Sequence, residues 1–142
     1  MPSNTLHARY HAVVESIDPA EYLLIAEDIL GIDAERLGRQ ADLGSLESAL
    51  QAPFAGWGDI DVYPTLSEQA AVLCSRLVRN HPLIDGNKRA AYVTMVEFIA
   101  RNGGEFVPPG ARETVDTIEA LAAREISEEQ FAAWVDRNIR PA

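Results

Sequence analysis

Apolar residues recur at helical spacing over most of the chain. In TLSEQAAVLCSRLVRN, residues 65–80, Thr65 and Glu68 form a capping-box pattern at the start, and Pro82 prevents a helix from continuing far past the end. The apolar positions of this segment that follow helical spacing are Leu66, Leu73, Leu77 and Val78. The segment is therefore predicted to be an amphipathic helix.

Four further helices are predicted from capping residues and apolar spacing. Asp18 and Glu21 form a capping box at the start of DPAEYLLIAEDIL, and Ser127 and Gln130 form one at the start of SEEQFAAWVDRNI. GSLESALQAP and ARETVDTIEALAARE are the other two. FAGWGDIDVYP is predicted to be a loop in which Trp57 and Tyr63 are buried aromatic anchors, the alternative being that they line a target-binding edge. EFVPP is predicted to be a short strand or extended segment.

One segment, residues 87–102, is apolar on nearly all sides. Only Thr94, Glu97 and Arg101 interrupt the apolar surface, and Gly103 suits a left-handed cap at its end. A helix that is apolar all round belongs at the centre of a bundle. The sequence predicts an all-α fold, a bundle of about six helices around this one.

Composition narrows the class of protein. The chain has 142 residues, enough for one domain, here residues 1–142 with 1–17 as a lead-in segment. It has 12 Lys and Arg against 22 Asp and Glu, a net charge of -10, which disfavours nucleic-acid binding. The single cysteine, Cys74, is expected in the core and points to a reducing cytoplasm, and no apolar run could span a membrane. His7 and His11 have metal-pair spacing but lack a third ligand, so we expect them to be solvated.

Residues 81–91, HPLIDGNKRAA, place cations where a helix begins. The amide end of a helix carries partial positive charge, so Lys88 and Arg89 are unfavourable there unless an anion binds. Gly86 would let the backbone approach such an anion, Asp85 suits Mg²⁺, and His81 can accept a proton near neutral pH. These parts fit phosphoryl transfer. The same residues also fit an ordinary turn with solvent-facing cations, and the spacing of a P-loop is missing.

This motif closely resembles the signature of Doc toxins, the Fic-fold branch of the death on curing family, which reads H-P-F-x-D-G/A-N-K-R-T-A. The segments DLGSLESALQAP, VYPTLSEQAAVLCSRLVRN and VEFIARNGGEF also resemble the corresponding Doc segments, so the resemblance covers residues 20 to 137. It implies a Fic-fold helical bundle and a toxin of a toxin–antitoxin pair. Doc-type toxins are kinases that use ATP and Mg²⁺ to phosphorylate a threonine of elongation factor Tu, and so inhibit translation.

By motif position, the resemblance implies that His81 is the catalytic base and that Asp85 holds Mg²⁺. The residues implied to hold the nucleotide phosphates are Gly86, Asn87, Lys88, Arg89 and, with weaker support, Arg79, for which the alternative is a solvated helix end. Leu83 replaces the usual Phe and Ala90 the usual Thr; Leu83 is still expected to anchor the loop in the core.

Two alternatives stay open. Typical Fic enzymes transfer AMP, and their motif ends G-N-G-R with a second Arg three positions later; here Lys88 and Tyr92 stand at the second Gly and the second Arg. Both departures favour the Doc branch. The other alternative is a non-catalytic binding module in an antitoxin complex. The expected partners are elongation factor Tu and a cognate antitoxin with a helical tail that binds in a groove, and the chain is expected to be a monomer when free.

Overall fold

The structure, a computed structural model, describes residues 15–142 and is mostly helical. His7, His11 and nearly all of the lead-in segment lie outside the described residues. The helices are α1 (Pro19–Leu30), α2 (Ala34–Gln40), α3 (Leu43–Gln51), α4 (Leu66–Asn80), α5 (Asn87–Arg101), α6 (Ala111–Ala122) and α7 (Glu128–Arg137), with a 3₁₀ turn at Ala52–Phe54. The all-α prediction is confirmed, with seven α-helices in the described part of the chain rather than about six.

Four short strands form two antiparallel pairs. β1 (Gly56–Trp57) pairs with β2 (Ile60–Asp61), and β3 (Gly104–Phe106) pairs with β4 (Ile139–Pro141). β3 agrees with the extended segment predicted at EFVPP. The β1–β2 hairpin stands where only a loop was predicted, because strands of two residues are too short to show an alternating pattern.

Local capping explains why most helices begin where the sequence predicts. The Glu21 N–H donates to the Asp18 carboxylate at 2.8 Å, and the Gln130 N–H donates to the Ser127 hydroxyl at 3.0 Å. Both of these capping boxes are complete. At the third predicted box, the Thr65 hydroxyl accepts from the Glu68 N–H at 3.1 Å and donates to the Glu68 carboxylate at 2.8 Å. The helix missed by the sequence prediction, α2, is seven residues long and buries only Leu37, so it shows too little apolar periodicity to be recognised.

The most deeply buried helix is α4, whereas the sequence predicted that α5 would be central. α5 lies where it was predicted along the chain, at Asn87–Arg101, but fewer of its residues are buried than in α4. Ser67 and Ser75 of α4 are buried because their hydroxyls donate to Asp136 at 2.8 Å and to Glu128 at 2.7 Å. Burial of hydrogen-bonded polar residues hides a core helix from a prediction based on apolar residues alone.

Three side chains test finer expectations. Cys74 is fully buried, as predicted. Thr94 is also buried, so the polar interruption of α5 does not form one exposed stripe. The prediction that Trp57 is a buried anchor is wrong: it lies in the β1–β2 hairpin with 88% of its surface exposed. Within residues 15–142, no helix has the length and hydrophobicity needed to cross a membrane.

Candidate active site at the start of helix α5

The loop between α4 and α5 is held by the amide side chain of Asn87. This amide is buried; it donates to the Leu83 carbonyl and accepts from the Leu83 N–H, both at 2.9 Å. Leu83 is itself buried, which confirms its predicted role as the loop anchor. The Pro82 carbonyl accepts from the Asp42 N–H at 2.8 Å, so the loop is also tied to the start of α3. The shape of the loop is therefore fixed by protein contacts.

His81 lies where α4 ends, in an uncommon backbone conformation. Its φ of 48° is in the left-handed region; among the described residues other than glycine, only Arg124 shares a positive φ. This conformation costs a residue with a Cβ about 1–2 kcal/mol, and such strain is concentrated at functional sites. The imidazole is exposed, with Nδ1 3.4 Å from the Asn87 amide nitrogen. The ring is thus presented to solvent beside the residue that holds the loop.

Gly86 is favoured by its own backbone conformation. Its φ is 79°, a left-handed value that strains residues with a Cβ, and a Cβ added there would also lie 2.4 Å from the terminal methyl carbon Cδ2 of Leu30 on α1. Its N–H donates to the Asp85 carboxylate at 2.8 Å. That the missing side chain makes room for a ligand stays a prediction.

The start of α5 keeps its own amide groups available. In the described part of the chain, no side chain caps this helix end. The first backbone N–H groups of a helix have no intrahelical partner, and together with the dipole they favour an anion. This end of α5 can therefore bind a phosphate through its backbone.

The two cations at this helix end point toward different neighbours. Lys88 Nζ donates to both carboxylate oxygens of Glu119 on α6, at 3.0 and 3.1 Å. Arg89 Nη2 lies 3.4 Å from the carbonyl oxygen of Ile29, near the end of α1. Both side chains are exposed, so each can turn toward a ligand at the helix end. Glu119 was missed because it is 31 positions from Lys88, beyond any local pattern.

A groove runs between α5 and α6 beside this helix end. Its volume is about 430 Å³, and its walls are mainly apolar. Residues from both helices line it, among them Lys88, Arg89, Tyr92, Val115, Ile118 and Glu119. The Tyr92 ring packs edge-on against Phe106 with ring centroids 6.0 Å apart, so Tyr92 is a wall of the groove supported by β3.

Arg79 differs from the other predicted site residues in its partner. Its Nη1 lies 3.5 Å from Glu128 Oε2, and its side chain is only 17% exposed. Glu128, the first residue of α7, also accepts from Arg76 Nε at 2.9 Å. The alternative that Arg79 is a solvated helix end is therefore wrong. A phosphate contact by Arg79 stays a prediction, and the structure directs this guanidinium to Glu128.

The Glu128 carboxylate is expected to make the fold acid-sensitive. Burial raises the pKa of Glu128. Hydrogen bonds from Arg76 and Ser75 and the charges of Arg76 and Arg79 together lower it by more than that, so the pKa is below its usual value. A carboxylate whose pKa is lowered in the folded state stabilises the fold at pH values above its unfolded-state pKa of about 4.3. This stabilisation is lost as the pH falls through the folded-state pKa.

We expect Glu128→Gln to be less stable than the wild type by about 1–2 kcal/mol at pH 7. The two proteins should converge below pH 4, as measured by urea unfolding at several pH values. Glu129→Gln is the matched control, because Glu129 is the exposed neighbour. An equal loss in both variants, or a constant difference at all pH values, would contradict the assignment.

Asp85 can contribute to a magnesium site only as one ligand. Its Oδ1 accepts from the Gly86 N–H, and the residue is exposed. Among residues 15–142, no group of three or more His, Cys, Asp or Glu side chains could hold a metal ion. Mg²⁺ beside a nucleotide is typically held by one or two carboxylates together with phosphates and waters, so the residues present fit a metal that arrives with the nucleotide.

Comparisons with known proteins show which family the chain resembles. The family model described as the Fic/DOC family matches residues 8–99, a range that includes α1 to α4, the loop and most of α5. A curated protein of Mycolicibacterium smegmatis, Toxin Doc, is 32% identical over 111 residues, which are 75% of this chain and 85% of that protein.

Proposed function

Because the chain belongs to the Fic/DOC family, we propose that it is the toxin of a toxin–antitoxin pair and acts as a protein kinase. The proposed reaction transfers the γ-phosphate of ATP to a threonine hydroxyl of elongation factor Tu. The observation that carries the proposal is the start of α5, where uncapped amides and two exposed cations lie beside an exposed histidine. The similar protein from Mycolicibacterium smegmatis is a toxin by name, Toxin Doc, which supports the role as a toxin.

The phosphates are proposed to bind at the start of α5. The backbone amides of the first turn supply fixed donors, and Lys88 and Arg89 supply positive charge on long side chains. Two cations in the first turn are otherwise unfavourable, because both face the positive end of the helix dipole. A bound triphosphate reverses the sign of that effect, since amides, dipole and cations then attract the same ligand.

His81 is proposed to accept the proton of the target hydroxyl. As the threonine oxygen forms its bond to the γ-phosphorus, the bond between that phosphorus and the oxygen bridging it to the β-phosphate breaks. The hydroxyl proton passes to the His81 imidazole, and ADP leaves with the bonding electrons. The exposed position of the ring allows a protein substrate to reach it, and an imidazole is the side chain most often used to accept a proton in catalysis.

Asp85 is the residue proposed to hold Mg²⁺, with the nucleotide phosphates as the other main ligands. Bound there, the metal would neutralise phosphate charge during transfer. The engaged Oδ1 of Asp85 leaves its second oxygen for this contact. Because the Gly86 N–H donates to that same carboxylate, it also keeps Asp85 at the mouth of the loop.

Two positions support kinase activity over AMP transfer. Lys88 stands where AMP-transferring relatives have glycine, and its side chain takes up space and adds charge beside the phosphates. Tyr92 stands where they have a second arginine; its phenol carries no positive charge, and its ring packs against Phe106. Compared with an AMP-transfer site, this site therefore lacks the cation at position 92 and has an additional cation at position 88.

A label-transfer experiment distinguishes the possible activities. The purified protein is incubated with elongation factor Tu, Mg²⁺ and ATP labelled at either the α- or the γ-phosphate. We expect label from the γ-phosphate alone. Transfer of α-label would show AMP transfer instead, and no transfer from either position, without toxicity in cells, would indicate a binding module.

A cognate antitoxin and a cytoplasmic location belong to the same proposal. An acidic chain, with a net charge of -10, attracts basic segments of a partner, so an antitoxin tail with basic residues would be favoured electrostatically.

A further inference from the structure

Lys88 and Glu119 form an ion pair in which both charges oppose the helix dipoles. Lys88 is the second residue of α5, at the positive end, and Glu119 lies in the last turn of α6, at the negative end. The Lys88 ammonium donates to both carboxylate oxygens of Glu119, at 3.0 and 3.1 Å. The Lys88 side chain is 47% exposed and the Glu119 side chain 56%. Each residue thus supplies the countercharge that the other one's helix end lacks.

We propose that Glu119 is a positioning residue that competes with the nucleotide for Lys88 and sets the affinity for ATP. This inference rests on the proposed function, because it assumes that phosphates bind at the start of α5. A phosphate that engages Lys88 must either displace the carboxylate or share the ammonium with it. In the first case the ion pair is lost, and in the second a carboxylate remains beside the phosphate.

Displacing the Glu119 carboxylate and sharing the Lys88 ammonium with it both weaken nucleotide binding. When the ammonium is shared, the size of the effect depends on the charge of the phosphates. Repulsion from Glu119 grows with the negative charge of the ligand, so ATP loses more affinity than AMP. Exposure of the ion pair limits the effect, since exposed pairs contribute little. We expect Glu119 to weaken ATP binding about three- to fivefold, a size typical of one exposed charge.

The test is a titration of wild type and Glu119→Gln with ATP and with AMP, each with Mg²⁺, by calorimetry. Glu119→Gln should bind ATP about three- to fivefold more tightly and AMP with a smaller gain. Asp116→Asn is the matched control, because it removes the same charge from an exposed position one turn earlier on α6. It should leave the affinity for ATP nearly unchanged.

A double-mutant comparison ties the effect to Lys88. In a Lys88→Met background, Glu119→Gln should no longer improve ATP binding, whereas a general effect of net charge would persist. Unchanged or weaker ATP binding by Glu119→Gln, or an equal gain in Asp116→Asn, would overturn the inference while leaving the proposed function intact. If neither the wild type nor Glu119→Gln binds ATP, the nucleotide site itself is overturned, and the inference falls with it.

Discussion

Replacing His81 by alanine is expected to reduce the rate of phosphate transfer to elongation factor Tu by about 10²- to 10⁴-fold. The imidazole is the proposed acceptor of the hydroxyl proton, and it is exposed at the end of α4 beside the amide-bearing start of α5. Nucleotide affinity should change little, because His81 is not one of the proposed phosphate ligands. The measurement is the initial rate of γ-label transfer at saturating ATP, together with the Kd for ATP.

His81→Gly separates chemistry from backbone conformation. Glycine adopts the left-handed conformation of residue 81 without strain, whereas alanine does not. Loss of the imidazole should therefore reduce the rate equally in both variants, and His81→Gly should be at least as stable as His81→Ala. A glycine variant that keeps near-wild-type activity would show that His81 acts through loop conformation and that the assignment as base is wrong.

Replacing Asn87 by alanine is expected to reduce both stability and activity. The buried amide satisfies the N–H and the carbonyl of Leu83, and loss of a partner for a buried polar group costs about 1–3 kcal/mol. Without this contact, the loop can shift relative to α5, and a displacement of about 1 Å can cost about 10²-fold in rate. Urea unfolding and initial rates of label transfer measure the two effects.

Asn80→Ala is the matched control for Asn87→Ala. The Asn80 amide also donates to a backbone carbonyl, that of Ser45, at 3.1 Å, but it lies before the loop and makes no bond to Leu83. We expect a smaller loss of stability and a rate close to wild type. If the rate falls equally in the two variants, the activity loss reflects general destabilisation of the fold, and the loop contact has no special role.

The features predicted correctly from the sequence are those fixed within a few residues. Capping by Asp18 and Ser127 needs a partner only three positions away, so the starts of α1 and α7 follow from local pattern. The anchoring role of Leu83 is likewise local, since the loop is short and its one buried aliphatic residue must face the core. The resemblance of HPLIDGNKRAA to a family signature supplied the other expectations for the loop, and the roles it implies for the site residues stay predictions.

Features that depend on distant residues were not predicted. Nothing in the sequence indicates that Leu30 lies against Gly86. The ion pair of Arg79 was missed, since its partner Glu128 follows 49 positions later and belongs to another helix. The central position of α4 was hidden by hydrogen-bonded serines whose acceptors, Asp136 and Glu128, lie on α7.

The contact between Tyr92 and Phe106 has a consequence for the evolution of this loop. A change to the arginine pattern of AMP-transferring relatives would put a guanidinium against an aromatic ring that is itself packed on Trp134. A guanidinium can stack on that ring, so the packing alone does not exclude an arginine at position 92. Lys88 would still stand where those relatives have glycine. Divergence between the two motif patterns therefore requires at least two substitutions, at positions 88 and 92, and a point mutation at position 92 alone is not expected to change which group is transferred.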